Sequence, residues 1–280
     1  MDGIADYSFI ERLGEGNHGT FWLAKRPPRL TSVAADLVAV KTLTQQATDQ
    51  DFKRMANELR VYAAVDSPHL APVYDAGHHN GRLFYATAYF AAGSLGAPAR
   101  PMDRTEVVAA VADAALGAHA LHEAGIAHRD IKPANIMISR GARVDEGAAE
   151  DSGVTAVLGD LGLAQIINPG QTVTGIGPVG TIEYLAPEQV QGQAASRASD
   201  IWALGVTLHR AVSGRGVYDT LPVDSLVDAL RHVMSTRPAL DPALDQALMS
   251  VVERCLQEDP AARYTTAVDL AGELRSVVAS

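Results

Sequence analysis

Several things are scarce in this 280-residue chain, and each scarcity excludes something. A single cysteine, Cys255, rules out an internal disulfide and a thiolate metal cluster, and it fits a reducing compartment. No apolar run approaches the roughly 18 residues that a membrane helix needs. The opening residues, Met1-Asp-Gly-Ile-Ala-Asp6, hold neither a basic region nor an apolar stretch, so a signal peptide is not expected there. Basic residues are outnumbered, 23 against 33 acidic, and the net charge of −10 argues against a general nucleic-acid binder. Lysine is scarcest among them: only Lys25, Lys41, Lys53 and Lys132 occur, and the remaining basic residues are arginine.

What is present is ordinary globular material, 47% apolar and 20% charged, enough for one large domain or two small ones. The first ~90 residues read mainly as strands. Tyr7–Leu13 alternates, Phe21–Ala24 is apolar, Leu37–Lys41 is β-branched, and Leu83–Phe90 follows later. The Pro/Arg-rich connection from Arg26 onward is expected to be a solvated loop. One helix interrupts the strands from Asp51 to Val65, where Phe52, Met55, Leu59 and Tyr62 fall at helical spacing. Beyond Gly93 the periodicity turns helical. Asp103-Arg-Thr-Glu106 resembles a capping box, Val107, Val111, Ala114, Ala118 and Leu121 line one face, and Gly125 suits the helix end. Two short apolar strands, Ile136–Ile138 and Thr155–Leu158, flank a Gly/acidic loop, and helical patterns return around 200–212, 224–234, 243–257 and 266–278. A strand-rich part followed by a helical part predicts a cleft between them, a usual place for a ligand.

Chemistry-bearing groups are scattered along this frame. Leu13-Gly14-Glu-Gly16-Asn-His-Gly19 is a G-x-G-x-x-G run between two predicted strands, where glycines let backbone N–H groups approach phosphate. Alone it is weak evidence against a plain hairpin turn, and its place between strands argues against a dinucleotide fold. Lys41 ends an apolar strand and calls for a compensating charge, which Glu58 on the next helix can provide; taken singly, each reads better as a surface charge. His128-Arg-Asp130-Ile-Lys132-Pro-Ala-Asn135 is far more specific. Its His, Arg, Asp and Asn would coincide by chance in about two per thousand chains of this length, with ~20 residue types equally frequent. Asp130 can orient or deprotonate a hydroxyl, Lys132 can neutralise a transferring phosphoryl group, and Asn135 offers an amide oxygen to a hard cation. Asp160-Leu-Gly162 supplies a second hard oxygen ligand. Gly180-Thr-Ile-Glu-Tyr-Leu-Ala186-Pro-Glu188, Asp200 and a late Arg263 that can pair with Glu188 complete the series.

In that order the set resembles the eukaryotic-type protein kinase superfamily, from about Tyr7 to Leu274. His-Arg-Asp-x-Lys-Pro-x-Asn and Gly-Thr-x-x-Tyr-x-Ala-Pro-Glu look like its serine/threonine branch, bacterial members above all. The resemblance implies an α+β, bilobal protein-kinase-like fold: an antiparallel β-sheet small lobe with one helix (about 1–87), a hinge (about 88–93) and a mainly α-helical large lobe (about 94–280), together one kinase domain. It implies ATP and Mg²⁺, with Mn²⁺ as the alternative ion, and protein Ser/Thr hydroxyls as acceptors. Leu13, Gly14, Gly16 and Gly19 would cover the nucleotide, Lys41 would hold the α/β-phosphates with Glu58 positioning it, and Ala39 and Met137 would sandwich the adenine under Phe21. Thr87 falls at the gatekeeper position, and the backbone of Ala88 to Phe90 would make the hinge contacts. Asp130 would be the catalytic base, Lys132 a γ-phosphate contact, and Asn135 and Asp160 the metal ligands. Thr181 would brace the base, and Arg129, beside Asp130, would answer phosphorylation of Thr172 and Thr174 in the segment 163–180. Asp200, Glu188 and Arg263 would be structural. The helix usually found after Leu95 looks truncated.

The rival expectations are fewer. A pseudokinase acting as an ATP-binding scaffold should have lost the base, the strand lysine or a metal ligand, and none of Asp130, Lys41, Asn135 and Asp160 is missing. Small-molecule kinases of related fold usually lack the Ala-Pro-Glu segment and its arginine. His119 and His122 lie three apart on one helix, but no third ligand stands at a zinc-like spacing, so core or surface histidines are the better reading. The expected setting is cytoplasmic, or the cytosolic catalytic part of a longer protein. The expected partners are ATP and protein substrates, with no nucleic acid and no membrane segment. A homodimer through the small lobe, known in some bacterial relatives, is allowed but not demanded.

Overall fold

The computed structural model describes residues 3–16, 19–46, 48–139, 155–160, 179–218, 220–222 and 224–279. They gather into two compact units that part between Tyr89 and Phe90, with the short stretch Ser67–Leu70 joining the second.

The first unit is a six-stranded antiparallel sheet and one helix. Its strands are β1 (Gly3–Ile4), β2 (Tyr7–Gly16), β3 (Gly19–Lys25), β4 (Leu37–Gln46), β5 (Val73–His79) and β6 (Arg82–Ala88), in spatial order β1-β2-β3-β4-β6-β5. Alternation along β4 gives the sheet two distinct faces. Val38 and Val40 join Tyr7, Ala24, Phe84 and Ala86 in an apolar cluster on one face. The other carries the intervening Ala39 and Lys41. Helix α1 (Asp49–Ala63) starts at a reciprocal Thr48–Asp51 cap and buries Met55, Leu59 and Tyr62, the stripe read from the sequence.

Two features of this unit depart from the sequence reading. The Pro/Arg-rich connection is a largely exposed loop, as expected, but not solvated throughout: Val33 is buried and Leu30 packs on the same apolar cluster, so part of the segment covers one face of the sheet. Arginines tie it down. Arg26 donates to the carbonyls of Leu30 and Ala35, and Arg29 bridges the carboxylates of Asp6 and Asp75. Strand β5 is the second departure. Its residues are nearly all half-buried, so no alternation announces it, yet it pairs along β6 through an Asn80-Gly81 turn in which both residues have positive φ.

The second unit is built around α2 (Arg104–Glu123), capped reciprocally by Asp103 and Glu106. The sequence suggests one apolar face, but Val108, Ala110, Ala112 and Ala115 are buried too, so this helix is enclosed nearly all round. Packed on it are β10 (Thr155–Leu158), which pairs with β9 (Ile136–Ser139), and the helices α5 (Arg197–Ser213) and α8 (Ala267–Ala279). Short α3 (Val179–Ile182) and α4 (Pro187–Val190) precede α5, while α6 (Leu226–Ser235) and α7 (Gln246–Cys255) follow it. After Phe90 there is no helix before Asp103; a small hairpin, β7 (Gly93–Ser94) with β8 (Ala97–Pro98), stands there, with Ser94 paired to Met137.

Candidate active site

In the helical unit the site grows from one buried carboxylate. Asp200, in the first turn of α5 and 2% exposed, accepts the backbone N–H groups of His128 (2.7 Å) and Arg129 (3.0 Å) and lies 2.8 Å from His122 Nε2. These bonds hold the chain where Arg129 adopts φ +75°, a left-handed conformation that a non-glycine residue reaches only at a cost of about 1–3 kcal/mol. His128 is fully buried, and burial pushes its pKa down, so it sits as the neutral imidazole. Its Nε2–H donates to the Gly159 carbonyl (3.1 Å), leaving Nδ1 to face the Asp130 N–H at 3.4 Å.

Asp130 is thereby presented with two side chains on its carboxylate. Lys132 Nζ donates to both oxygens, at 3.0 and 2.9 Å, and Asn135 Nδ2 donates to Oδ2 (2.9 Å) and to the Asp130 carbonyl (2.7 Å). Because Asn135 spends its amide nitrogen on Asp130, its amide oxygen is left without a partner among the described residues. The Gly159 N–H donates to the Asn135 carbonyl (2.9 Å), and the next residue, Asp160, is turned at φ +56°. A carboxylate, an ammonium and an amide thus come from residues tied to one another by hydrogen bonds, and Asp160 follows the residue that bonds to Asn135. Among the described residues no cluster of three or more His, Cys, Asp or Glu side chains suits a resident metal such as zinc.

Further along, Thr181 lies within α3, and its carbonyl accepts the Tyr184 N–H. Glu188 and Arg263 form a buried two-bond ion pair at 2.7 and 2.8 Å. Arg263 also donates to the carbonyls of Ala198 and Gln257 and stacks 5.0 Å from the Trp202 ring. Met137 and Phe90 are half-buried in this unit. Thr172 and Thr174 lie outside the described residues.

In the sheet unit, register aligns the remaining candidates. Phe21 and Tyr85 both stand opposite Lys41, Leu23 and Thr87 both opposite Ala39, and Gly14 opposite Phe21. Directly opposed residues share a face, so these side chains form one surface with Lys41 near its middle. Lys41 is 6% exposed, its Nζ 4.9 Å from the Phe21 ring centre. Glu58 is half-buried on α1, and among the described residues no ion pair joins it to Lys41. The glycines of the first hairpin differ in kind. A Cβ on Gly19 would strike the Thr42 carbonyl, a packing reason for glycine, whereas a Cβ on Gly14 would meet open space. Gly16 closes the hairpin opposite Gly19, and Leu13 is exposed. Thr87 Oγ1 and the Ala88 N–H both donate to the Pro72 carbonyl, at 2.7 and 3.3 Å.

Residues 7–273 match the protein kinase domain family model. The chain belongs to that family. It is 30% identical to the serine/threonine-protein kinase PknJ of Mycobacterium tuberculosis over 96% of its own length, and 27% identical to the serine/threonine-protein kinase PrkC of Bacillus subtilis over 96%. It spans less than half of either relative, 44% and 40%. The solved kinase domain of PknI from Mycobacterium tuberculosis has the same fold, with a TM-score of 0.71 at 23% identity over 99% of this chain and 98% of that one. The α+β kinase architecture expected from the sequence is therefore the architecture present.

Sequence reasoning passed over three residues that the geometry brings to this kinase site. His122, read from the sequence as a core or surface histidine, is buried, and its contact with Asp200 was not foreseen. Glu183 and Arg210 form a pair beside Tyr184, and nothing in their spacing announced it.

Proposed function

We propose that this kinase domain transfers the γ-phosphate of ATP to Ser/Thr hydroxyls of protein substrates, with Mg²⁺ as the metal. The observation that carries the reading is the hydrogen-bonded set Asp130–Lys132–Asn135, oriented from below by Asp200. Asp130 accepts the proton of the attacking hydroxyl as the new P–O bond forms and the bond from the γ-phosphorus to the bridging oxygen breaks, ADP leaving; Lys132, already within hydrogen-bond reach of that carboxylate, screens the charge on the phosphoryl group. The unpartnered Asn135 amide oxygen and the Asp160 carboxylate are the hard donors a Mg²⁺ ion takes. Bound there, such an ion would supply positive charge against the phosphates. Lys41 holds the α/β-phosphates as a point charge, on the face it shares with Ala39 and Thr87. Glu58, on α1, positions Lys41 in this reading.

Activation follows from the same chemistry. Phosphate on Thr172 or Thr174 would add about −1.5 to −2 charge and pair with Arg129, the cation next to the base. Mass spectrometry after incubation with Mg·ATP tests this. Phosphate is expected on one or both threonines, and a Thr172→Ala/Thr174→Ala variant should lose both that label and most turnover on added substrate. Unchanged incorporation and turnover in the double variant would remove the activation step. A scaffold that binds nucleotide without transfer is the other reading, and the intact Asp130, Asn135, Asp160 and Lys41 speak against it.

A further inference from the structure

One carboxylate lies buried in the middle of α2, among alanines and valines. Asp113 is the only acid among the buried residues of that helix, and a charge there needs partners. Three segments supply them. Its Oδ2 accepts the Ala156 N–H of β10 (3.2 Å), its Oδ1 accepts Nη2–H of Arg275 on α8 (3.2 Å), and His69 Nδ1 lies 3.6 Å from that second oxygen. Arg275 is largely exposed, so the carboxylate is compensated from the surface while its other oxygen faces the strand.

What Asp113 holds is the open edge of that strand. β10 ends a sheet ordered β10-β9-β7-β8, so one edge of it pairs with β9 and the other meets only the stretch Ser67–Leu70. The N–H groups of a strand alternate between its two edges, and on the open side those of Ala156 and Leu158 need acceptors. Asp113 takes the first, and the His69 carbonyl takes the second (2.8 Å). Gly117, one helical turn beyond Asp113, makes room for this approach. A Cβ there would lie 2.5 Å from the His69 carbonyl oxygen and 3.2 Å from Leu158 Cβ. The bonds continue along the chain, with the Gly159 N–H given to the Asn135 carbonyl and the Gly159 carbonyl accepting from His128. Asp160 comes next, at φ +56°, a conformation that persists only where its surroundings impose it.

We propose that Asp113 is a positioning residue for Asp160: it pins the open edge of β10 through the Ala156 N–H, so that the carboxylate further along the same chain is presented to the metal ion. The inference rests on the kinase reading above, in which Asp160 and Asn135 take Mg²⁺. Without Asp113 the Ala156 N–H is left buried and unpaired, and the strand must shift to satisfy it. Groups that orient a metal ligand from outside are worth about 10–100-fold in metal affinity.

The test is binding of the non-hydrolysable β,γ-imido analogue of ATP, measured by calorimetry with Mg²⁺ and again with EDTA. The quantity read is the ratio of the two affinities, which cancels any general loss of nucleotide binding. Asp113→Ala is expected to lower that ratio about tenfold below wild type. Asp113→Asn keeps an acceptor oxygen for the Ala156 N–H and is expected to stay within about twofold. Should Asp113→Ala fail to fold, Asp113→Ser, too short to reach the strand, is read in its place with the same expectation. Asp160→Asn, which alters the metal ligand itself, should lower the ratio at least as far. A wild-type ratio in the truncated variant, alongside a fall in Asp160→Asn, overturns the role of Asp113 and leaves the kinase reading intact. An equal fall in Asp113→Asn overturns it too, because the acceptor oxygen is then not what matters. No effect of Mg²⁺ on wild type, or none of Asp160→Asn on the ratio, overturns the metal assignment and the inference with it.

Discussion

His128 shows how one side chain can hold a turn by staying uncharged. It is fully buried, its Nε2–H is given to Gly159, and its Nδ1 faces the Asp130 N–H. Protonation would put a second N–H against that donor. The folded pKa is pushed below the ordinary 6.5 by burial, so below pH 6.5 the unfolded chain binds a proton that the native state refuses. Stability is therefore full above pH 6.5 and falls as the pH drops below it, by about 1.4 kcal/mol per pH unit for this one group. Urea unfolding between pH 7.5 and 5.5 should reveal that slope, reduced by one proton's worth in His128→Gln. Equal slopes in the two proteins would mean that His128 titrates normally.

At the scale of elements, the connection 26–36 teaches most. Its Pro and Arg content reads as solvent-facing, but Val33 and Leu30 bury themselves on the sheet while the arginines bond outward to carbonyls and carboxylates. Val33→Asp would place a charge in that apolar cluster and should lower stability by at least ~2 kcal/mol, measured by chemical denaturation. A change below ~0.5 kcal/mol would mean that the segment is solvated throughout. The ion pair joining α4 to the chain before α8 makes a second prediction. Arg263→Ala leaves Glu188 buried and uncompensated and should cost about 3–5 kcal/mol; a loss under 1 kcal/mol would mean that water reaches Glu188. These elements also mark what could be read in advance. Helices with caps and a 3.6-residue period, α1, α2, α5 and α8, were legible because local signals and burial agree. Strand β5 and the buried part of the connection were not, because their faces are set by partners distant in the chain. Within the site, Asp130, Lys132 and Asn135 share one short motif. His122, Glu183 and Arg210 acquire their partners only when separate segments fold together, so no spacing encodes them.

Across the whole molecule, the scarcity of lysine gains a physical sense. Lys41 is 6% exposed on a sheet face and Lys132 is bonded to Asp130, and in the proposed function both act as compact point charges to phosphate. Arginine instead takes the forked, many-bonded posts, at Arg26, Arg29 and Arg263. No helix among the described residues is long and apolar enough to cross a membrane, and the curated relatives run to more than twice the matched length. The activity proposed for the domain is phosphoryl transfer, and one measurement addresses it most directly. Transfer of γ-phosphate from Mg·ATP to a Ser/Thr peptide is compared between wild type and Asp130→Asn, with nucleotide binding followed in both. The account predicts transfer by wild type, a fall of about 10²–10⁴ in rate for the variant, and nucleotide binding kept by both. Binding without transfer in wild type, or a loss under tenfold in Asp130→Asn, would contradict it.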